Sequence, residues 1–593
     1  MIIHCPDRKK LTEVALGKLP SDRILFNANI LNVLTGTFHL GEIWIVDGFI
    51  AHVAYHDTPG RIGQGLAATD LGGKTVIPGL IDAHVHIESS MLTPRRFAEA
   101  VLVHGTTTVI TDPHEIANVY GMEGLAYMHD SALDLPLRVL VDVPSSVPSV
   151  PGLENAGATL EAKDVEKAFD LPQVLGLAEV MDSVGLVHGE DRVTSIVEAA
   201  HRQHRLIQGH APMISGQALS AYRIAGPFSD HEATSAEEAL EKIQAGMIIY
   251  ARHSSISPDL PEMAKLIKNL KYKDRVCLCT DDMEAEDMVH RGHLDDAINT
   301  LVKHGVEVID AIRMATLHTA IAIHEPWLGS IAPGCVADLV VLSALEPLVV
   351  DHVMTGGKDV VRDGKLVLPI PSRHWPLEHR NSMHCEPLSR ESFTIKPPIP
   401  QGTLHVNVMA YDSLTALTTH VEVTAIAVEN GQLRFDDPSL HYVAVINRYG
   451  LGTQAVHVVK DTGLLRGAFA STVSHDSHNL VVVYRDPEEA VLAANAVIAQ
   501  HGGMVAVRDH QERCQLPLAV GGLMADVPAH QMAQWAQSMK SALQELGITE
   551  PQNPLLRMAM IALPVIPRVK MTDLGCVDTE TQTFIPLFTK EKP

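Results

Sequence analysis

Eight short apolar runs, most ending in a polar residue and separated by helix-like stretches, constrain this chain more than any other feature. Strand-like segments fall at 80–86, 107–112 (TTVITD), 138–143 (RVLVDV), 174–179 (VLGLAE), 205–210 (RLIQGH), 228–231 (FSDH), 246–251 (GMIIYA) and 275–281 (RVCLCTD). Helical patterns lie between several of them, around 93–103, 192–204, 235–245 and 294–303. Eight strands with crossovers in about 250 residues predict a (β/α)8 barrel of the TIM type. A doubly wound open sheet is the alternative. It is weakened because no G-x-G-x-x-G follows a first strand.

The first strand belongs to Pro78-Gly79-Leu80-Ile81-Asp82-Ala83-His84-Val85-His86-Ile87-Glu88-Ser89-Ser90. Residues i and i+2 of a strand share a face, so His84 and His86 project together. Two imidazoles side by side make half of a metal site. The other strand ends are polar too: Asp112 on strand two, Glu179 on four, His210 on five, His231 on six and Asp281 on eight. In a barrel those ends converge on one mouth, where active sites form. Core packing alone explains them poorly, since burying them unpaired is costly.

The flanks of the barrel read as one small β domain split by it. Thr35-Gly36 and Asp47-Gly48 are turn signals between apolar runs in 22–56. Matching pieces return at Leu339–Leu342 and around the Asp363-Gly364 turn. The expected organisation is 1–78 and 333–370 as a composite β-sandwich, 79–332 as the inserted barrel, a proline-rich linker at 371–400, and a C-terminal α+β domain at 401–593. In the last, EEAVLAANAVIAQ (488–500) reads as an amphipathic helix. His475-Asp476-Ser477-His478-Asn479 precedes the strand Leu480–Tyr484. This polar segment is a hydrogen-bonded turn, a network reaching the barrel mouth through His475 and His478, or a third metal site.

Composition excludes several classes. A net charge of -25 argues against nucleic acid or an anionic membrane as partner. No apolar run approaches the roughly 20 residues of a membrane helix, and MIIHCPDRKK begins without a signal pattern. Seven scattered cysteines fit a reducing cytoplasm; Cys277 and Cys279 read as buried strand residues because no second pair completes a zinc ribbon. The 33 histidines fit a metal enzyme. Barrel enzymes of this size often self-associate, so a homo-oligomer is expected.

With these residues in place, the sequence resembles the amidohydrolase superfamily, and within it the adenine deaminases. The resemblance rests on PGLIDAHVHIESS, DPHEIANV (112–119), GLAEVMD (176–182), LCTDD (278–282), IAPGCVADLVVL, STVSHDSHNLVVV (471–483), LPLAVGGLM (516–524) and ALPVIPRVKMTDLG (562–575). It implies a binuclear site. His84 and His86 would hold one ion with Asp281, and His210 and His231 the other. Glu179 would bridge them where many relatives use a carboxylated lysine. Mixed imidazole and carboxylate ligands suit Mn2+, Fe2+ or Zn2+, and the family favours the first two.

The implied reaction converts adenine to hypoxanthine and ammonia, with Asp281 as proton shuttle. Strand alternation places Asp281, rather than Asp282, toward the metals unless the strand has already ended. Glu115 is the candidate acid for the purine ring, with Glu88 and Asp282 as rivals. Asp112 and His114 are further candidates near the substrate. One departure concerns the seventh strand: many relatives carry R-E-G-S there, and this chain has Arg252-His253-Ser254-Ser255. Rival readings are another aminopurine or cyclic amide as substrate, or a silent binding protein of this fold.

Overall fold

The computed structural model describes residues 7–56, 63–371, 373–413, 417–549 and 553–590. The opening residues read for a signal pattern lie partly outside that set. The barrel strands are β1 (Leu80–Val85), β2 (Thr106–Thr111), β3 (Arg138–Val143), β4 (Val174–Val180), β5 (Leu206–Gly209), β6 (Ser229–Asp230), β7 (Ile248–Arg252) and β8 (Val276–Cys279). All are parallel where they pair. The ring closes at both seams. Phe228 N donates to Ile207 O (3.0 Å) beside β5 and β6. Asp281 N donates to His84 O (3.0 Å) and His86 N to Asp281 O (3.2 Å) beside β8 and β1. An open sheet is therefore excluded, and the strands read as apolar runs because both faces are covered.

Local chemistry sets the helices between the strands. The helix Ala236–Gln244 starts at Ser235, whose hydroxyl accepts from Glu238 N, with Glu237 and Glu238 in its first turn and Lys242 in its last. Lys242 is fully buried and reaches Asp230 at 2.8 Å at the end of β6. Cys277 and Cys279 are buried within β8, and burial pushes the Cys277 thiol up to about 12.

The two flanks of the barrel join in one nine-stranded sheet. Thr75–Pro78 runs parallel to Ser21–Asn32 and antiparallel to Leu339–Leu345, with Val340 opposite Ile77. The two predicted Asp-Gly turns take positive φ at both residues, 50° and 83° at Asp47-Gly48 and 51° and 67° at Asp363-Gly364. That is the type I′ geometry whose twist matches a hairpin.

Residues 371–400 carry only 3-10 turns among those described, at Pro376–His379 and Arg390–Phe393. They pack on both neighbours: Tyr120 of the barrel donates to Arg380 O (2.8 Å), and Tyr484 beyond it to Phe393 O (2.7 Å). Beyond this stretch a ten-stranded sheet carries the helix Pro487–Ala499 on one face through Ala490, Ala493, Ala494 and Val497. A second helix, Ala529–Leu546, is tied to the barrel by Lys540, 2.6 Å from Glu284 and 2.7 Å from Glu286. The C-terminal domain thus sits on the barrel mouth. No described helix is long and apolar enough to cross a membrane.

Candidate active site

His84 and His86 leave the end of β1 with their Nε2 atoms 3.1 Å apart. His86 Nδ1 lies 3.0 Å from the backbone oxygen of Asp112, so its N–H donates there. Burial opposes its protonation, but Asp281 and Glu179 outweigh that and hold His86 well above its usual range. Its Nε2 proton then occupies the position a metal ion would take at the site centre. Burial, reinforced by the imidazoles of His231 and His86, holds His84 well below its usual range and so neutral.

Glu179, at the end of β4 and 2% exposed, spans the centre. Its Oε1 is 3.3 Å from His86 Nε2, and its Oε2 is 2.6 Å from His210 Nδ1 and 3.1 Å from His231 Nε2. One oxygen faces each histidine group. Burial opposes its ionisation, but His231 and His210 outweigh that and keep the carboxyl well below the usual range. Glu179 in turn raises His231 to about 9 against the opposing effect of burial. A centre whose carboxylates draw protons onto the facing imidazoles attracts positive charge, and divalent cations in place of those protons fit it. Four-residue and three-residue groups around His86 and Glu179, His84 and Asp281, and Glu179 and His210 lie close enough to share an ion.

Several residues hold this arrangement from behind. Tyr222 OH accepts from His210 N (2.8 Å) and donates to Val180 O (2.7 Å). Asp230 accepts from Ala211 N and Ala233 N, fixing the backbone beside His210 and His231. Asp82 on β1 accepts from Thr280 N (3.1 Å) and Thr280 Oγ1 (2.6 Å), tying β1 to β8. Burial pushes the Asp82 carboxyl up to about 7.

Asp281 stands 3.3 Å from His86 Nε2, and Arg252 Nη1 donates to its other oxygen at 3.0 Å. Burial opposes the charge on Asp281, but the hydrogen bond from His86 and the Arg252 guanidinium hold it well below the usual range. β8 ends at Cys279, and Asp281 takes a positive φ of 55°. Alternation therefore stops before the pair, and Asp282 turns into the cavity as well. Burial and the neighbouring Asp281 push Asp282 up to about 6.

The remaining sequence candidates separate by position. Asp112 Oδ2 lies 3.1 Å from His114 Nδ1, and His114 and His475 line the cavity. Glu115 backs the wall: the Ser89 hydroxyl stands 2.7 Å from Glu115 Oε1 and 2.5 Å from Asp282 Oδ1. Glu88 lies under the helix His114–Tyr120 and accepts from Ile116 N. Burial, then Glu115, raises its carboxyl to about 8. His478 Nδ1 accepts from Ser474 N within its own loop rather than facing the cavity. His253 points away: its Nε2 is 2.7 Å from Asp296. Arg252 faces in, so the next residue of the chain faces out.

Among the polar residues in or beside the cavity that the sequence reading does not nominate are Ser89, Glu232, Arg252 and Asp476. Ser89 and Glu232 each follow a named residue by one position, and adjacency to Glu88 and His231 was their only signal. Glu232 is 3.6 Å from His231 Nε2 and pairs with Arg252. Asp476, inside the HDSHN segment, is 3.4 Å from both His114 Nε2 and His475 Nδ1. It joins the C-terminal domain to the barrel at the site itself.

Comparison with known proteins agrees with this geometry. Residues 75–360 match the amidohydrolase family and 416–583 the adenine deaminase C-terminal domain. An adenine deaminase of Serratia proteamaculans is 36% identical over 99% of this chain and 98% of its own length. Adenine deaminases of Moorella thermoacetica (36%, 98% of each chain) and Desulfatibacillum aliphaticivorans (37%, 97% of this chain and 98% of that one) are similar to the same extent. A divalent metal cofactor comes with the amidohydrolase family, and the buried donor clusters fit it. The split β domain, the closed barrel and the domain on its mouth are matched over nearly their whole length, and the chain belongs to the adenine deaminase family of the amidohydrolases.

Proposed function

We propose that this chain hydrolyses adenine to hypoxanthine and ammonia with two divalent ions held about Glu179. The observation that carries the reading is the division of the Glu179 oxygens between two histidine groups beneath an adenine deaminase C-terminal domain. His84, His86 and Asp281 would hold one ion, His210 and His231 the other, and Glu179 both. This donor set suits Mn2+, Fe2+ or Zn2+ alike, and the family resemblance favours the first two. When bound, such a pair supplies a water nucleophile of lowered pKa at a fixed position.

The chain's own residues do the rest. Asp281 takes the proton that the attacking water loses and delivers it to the departing amine. Arg252 holds the outer Asp281 oxygen, so the inner one keeps its direction. Glu115, Ser89 and Asp282 form a short hydrogen-bonded chain ending at the cavity. In this reading that chain, with Glu115 at its buried end and Asp282 at the cavity, gives a proton to the purine ring and recovers one from the attacking oxygen as the new carbonyl forms.

The test compares kcat/KM for adenine, guanine, 6-substituted purines and adenosine on one manganese-loaded sample. Adenine should lead. Turnover of another member with none on adenine would overturn the substrate and leave the hydrolase chemistry standing.

A further inference from the structure

The motif ALPVIPRVKMTDLG has no part in the chemistry above, yet the structure brings its first residues over the barrel mouth. Met560, Leu563 and Ile566 form a buried aliphatic cluster, with Ile256 and Leu417 packed against it. All five line the same cavity as His86, Glu179 and Asp281. Ile256 follows β7; the other four come from the C-terminal domain. The cavity is therefore two-sided, with the polar strand ends on one side and an aliphatic wall on the other.

The wall is held in place. His475 N donates to Ala559 O at 3.0 Å, anchoring the chain just before Met560. Two buried basic side chains hold the backbone on this side: Arg557 Nη2 donates to Ser413 O (2.8 Å) and Lys570 Nζ to Leu417 O (2.9 Å). The Arg557 guanidinium also lies 4.1 Å from the centre of the Tyr411 ring. A wall anchored at three backbone oxygens yields little to an oversized ligand.

We propose that Met560, Leu563, Ile566 and Leu417 set selectivity for the free base by closing the N9 end of the purine site. The proposal rests on the adenine reading above. In adenine, the edge bearing N3 and N9 lies across the ring system from the amine on C6. With C6 at the polar strand ends, that edge meets the aliphatic wall. A ribose on N9 is then opposed twice. It needs volume the wall occupies, and its hydroxyls would be buried without partners, which is unfavourable. A methyl on N9 is opposed by volume alone.

The two probes are 9-methyladenine and adenosine, measured beside adenine on manganese-loaded wild type, Leu563→Ala and Met560→Ala. The wild-type chain should turn over 9-methyladenine far less well than adenine. Each truncation should raise the ratio of kcat/KM for 9-methyladenine to that for adenine by about tenfold or more, the scale of a methylene-sized change in a hydrophobic pocket. Adenosine should remain poor in both variants, because the wall stays apolar. Equal wild-type use of 9-methyladenine and adenine, or an unchanged ratio in both variants, would overturn the proposal. Should either truncation fail to fold, Leu563→Val and Ile566→Val remove less volume and must shift the ratio in the same direction. Wild-type turnover of adenine in the same series checks the underlying reading separately, so the two failures are distinguishable.

Discussion

Replacing Glu179 by Gln tests the centre most directly, because it keeps the size and hydrogen-bonding reach of the side chain and removes one charge. The carboxylate is 2% exposed and within 3.3 Å of His86 Nε2, 2.6 Å of His210 Nδ1 and 3.1 Å of His231 Nε2. Removing one partner of a buried charge pair costs about 3–5 kcal/mol. At about 1.4 kcal/mol per factor of ten, that is a fall of roughly 100- to 4,000-fold in affinity for at least one ion. Protein from manganese-supplemented medium would be dialysed against buffered manganese at stepped free concentrations. Metal content by elemental analysis and kcat on adenine would be read at each step. The wild-type chain should approach about two ions per chain, the number a shared bridging carboxylate implies. Glu179→Gln should hold about one or fewer at concentrations that saturate the wild type, and lose most activity. Retention of both ions at wild-type affinity with near-normal turnover would refute the bridging role.

Asp281→Asn should lower kcat by roughly 10²–10⁴-fold, the scale of general acid–base catalysis, and more than Asp282→Asn does; the reverse order in steady-state assays would move the shuttle to Asp282. Glu115→Gln should reduce kcat far more than metal content, whereas parallel loss of both would make Glu115 a support for the metal site. Lys570 gives a pH prediction. Burial, and next to it Arg557, lowers its amine from 10.5 to about 7, with Asp412 opposing. Between those values the unfolded chain binds more protons than the folded one, so wild-type stability should rise with pH by up to about 1.4 kcal/mol per unit from pH 7 toward 10. Lys570→Met should lack that rise; denaturant unfolding at pH 7, 8 and 9 would show it, and a constant offset between the two proteins would contradict a neutral buried lysine.

Much of this protein was legible along the chain because its signals are local. Most of the barrel strands announce themselves as apolar runs buried on both faces, and the helix at 294–303 has the limits its periodicity predicts. Asp47-Gly48 and Asp363-Gly364 form the hairpin turns their residue types favour. The histidine pair on β1 follows from the two-residue repeat of a strand, and the polar strand ends at 179, 210, 231 and 281 gather at one mouth because parallel strands in a ring share a direction. Other features depend on contacts between segments far apart in sequence. The ring seam at Asp281 ends the alternation of β8 and turns both Asp281 and Asp282 inward. His253 turns toward Asp296 and leaves Arg252 to hold Asp281. Asp476 meets His114 across some 360 residues of chain, and the aliphatic wall of Met560, Leu563 and Ile566 faces the polar ends of barrel strands that begin at Leu80. Sequence determined which residues could bind metal and where the strands lie, since periodicity and side-chain chemistry act within a few residues. Only the tertiary structure decided what closes the site, because a domain interface is fixed by the complementarity of two finished surfaces and leaves no period in either strand of text that encodes it.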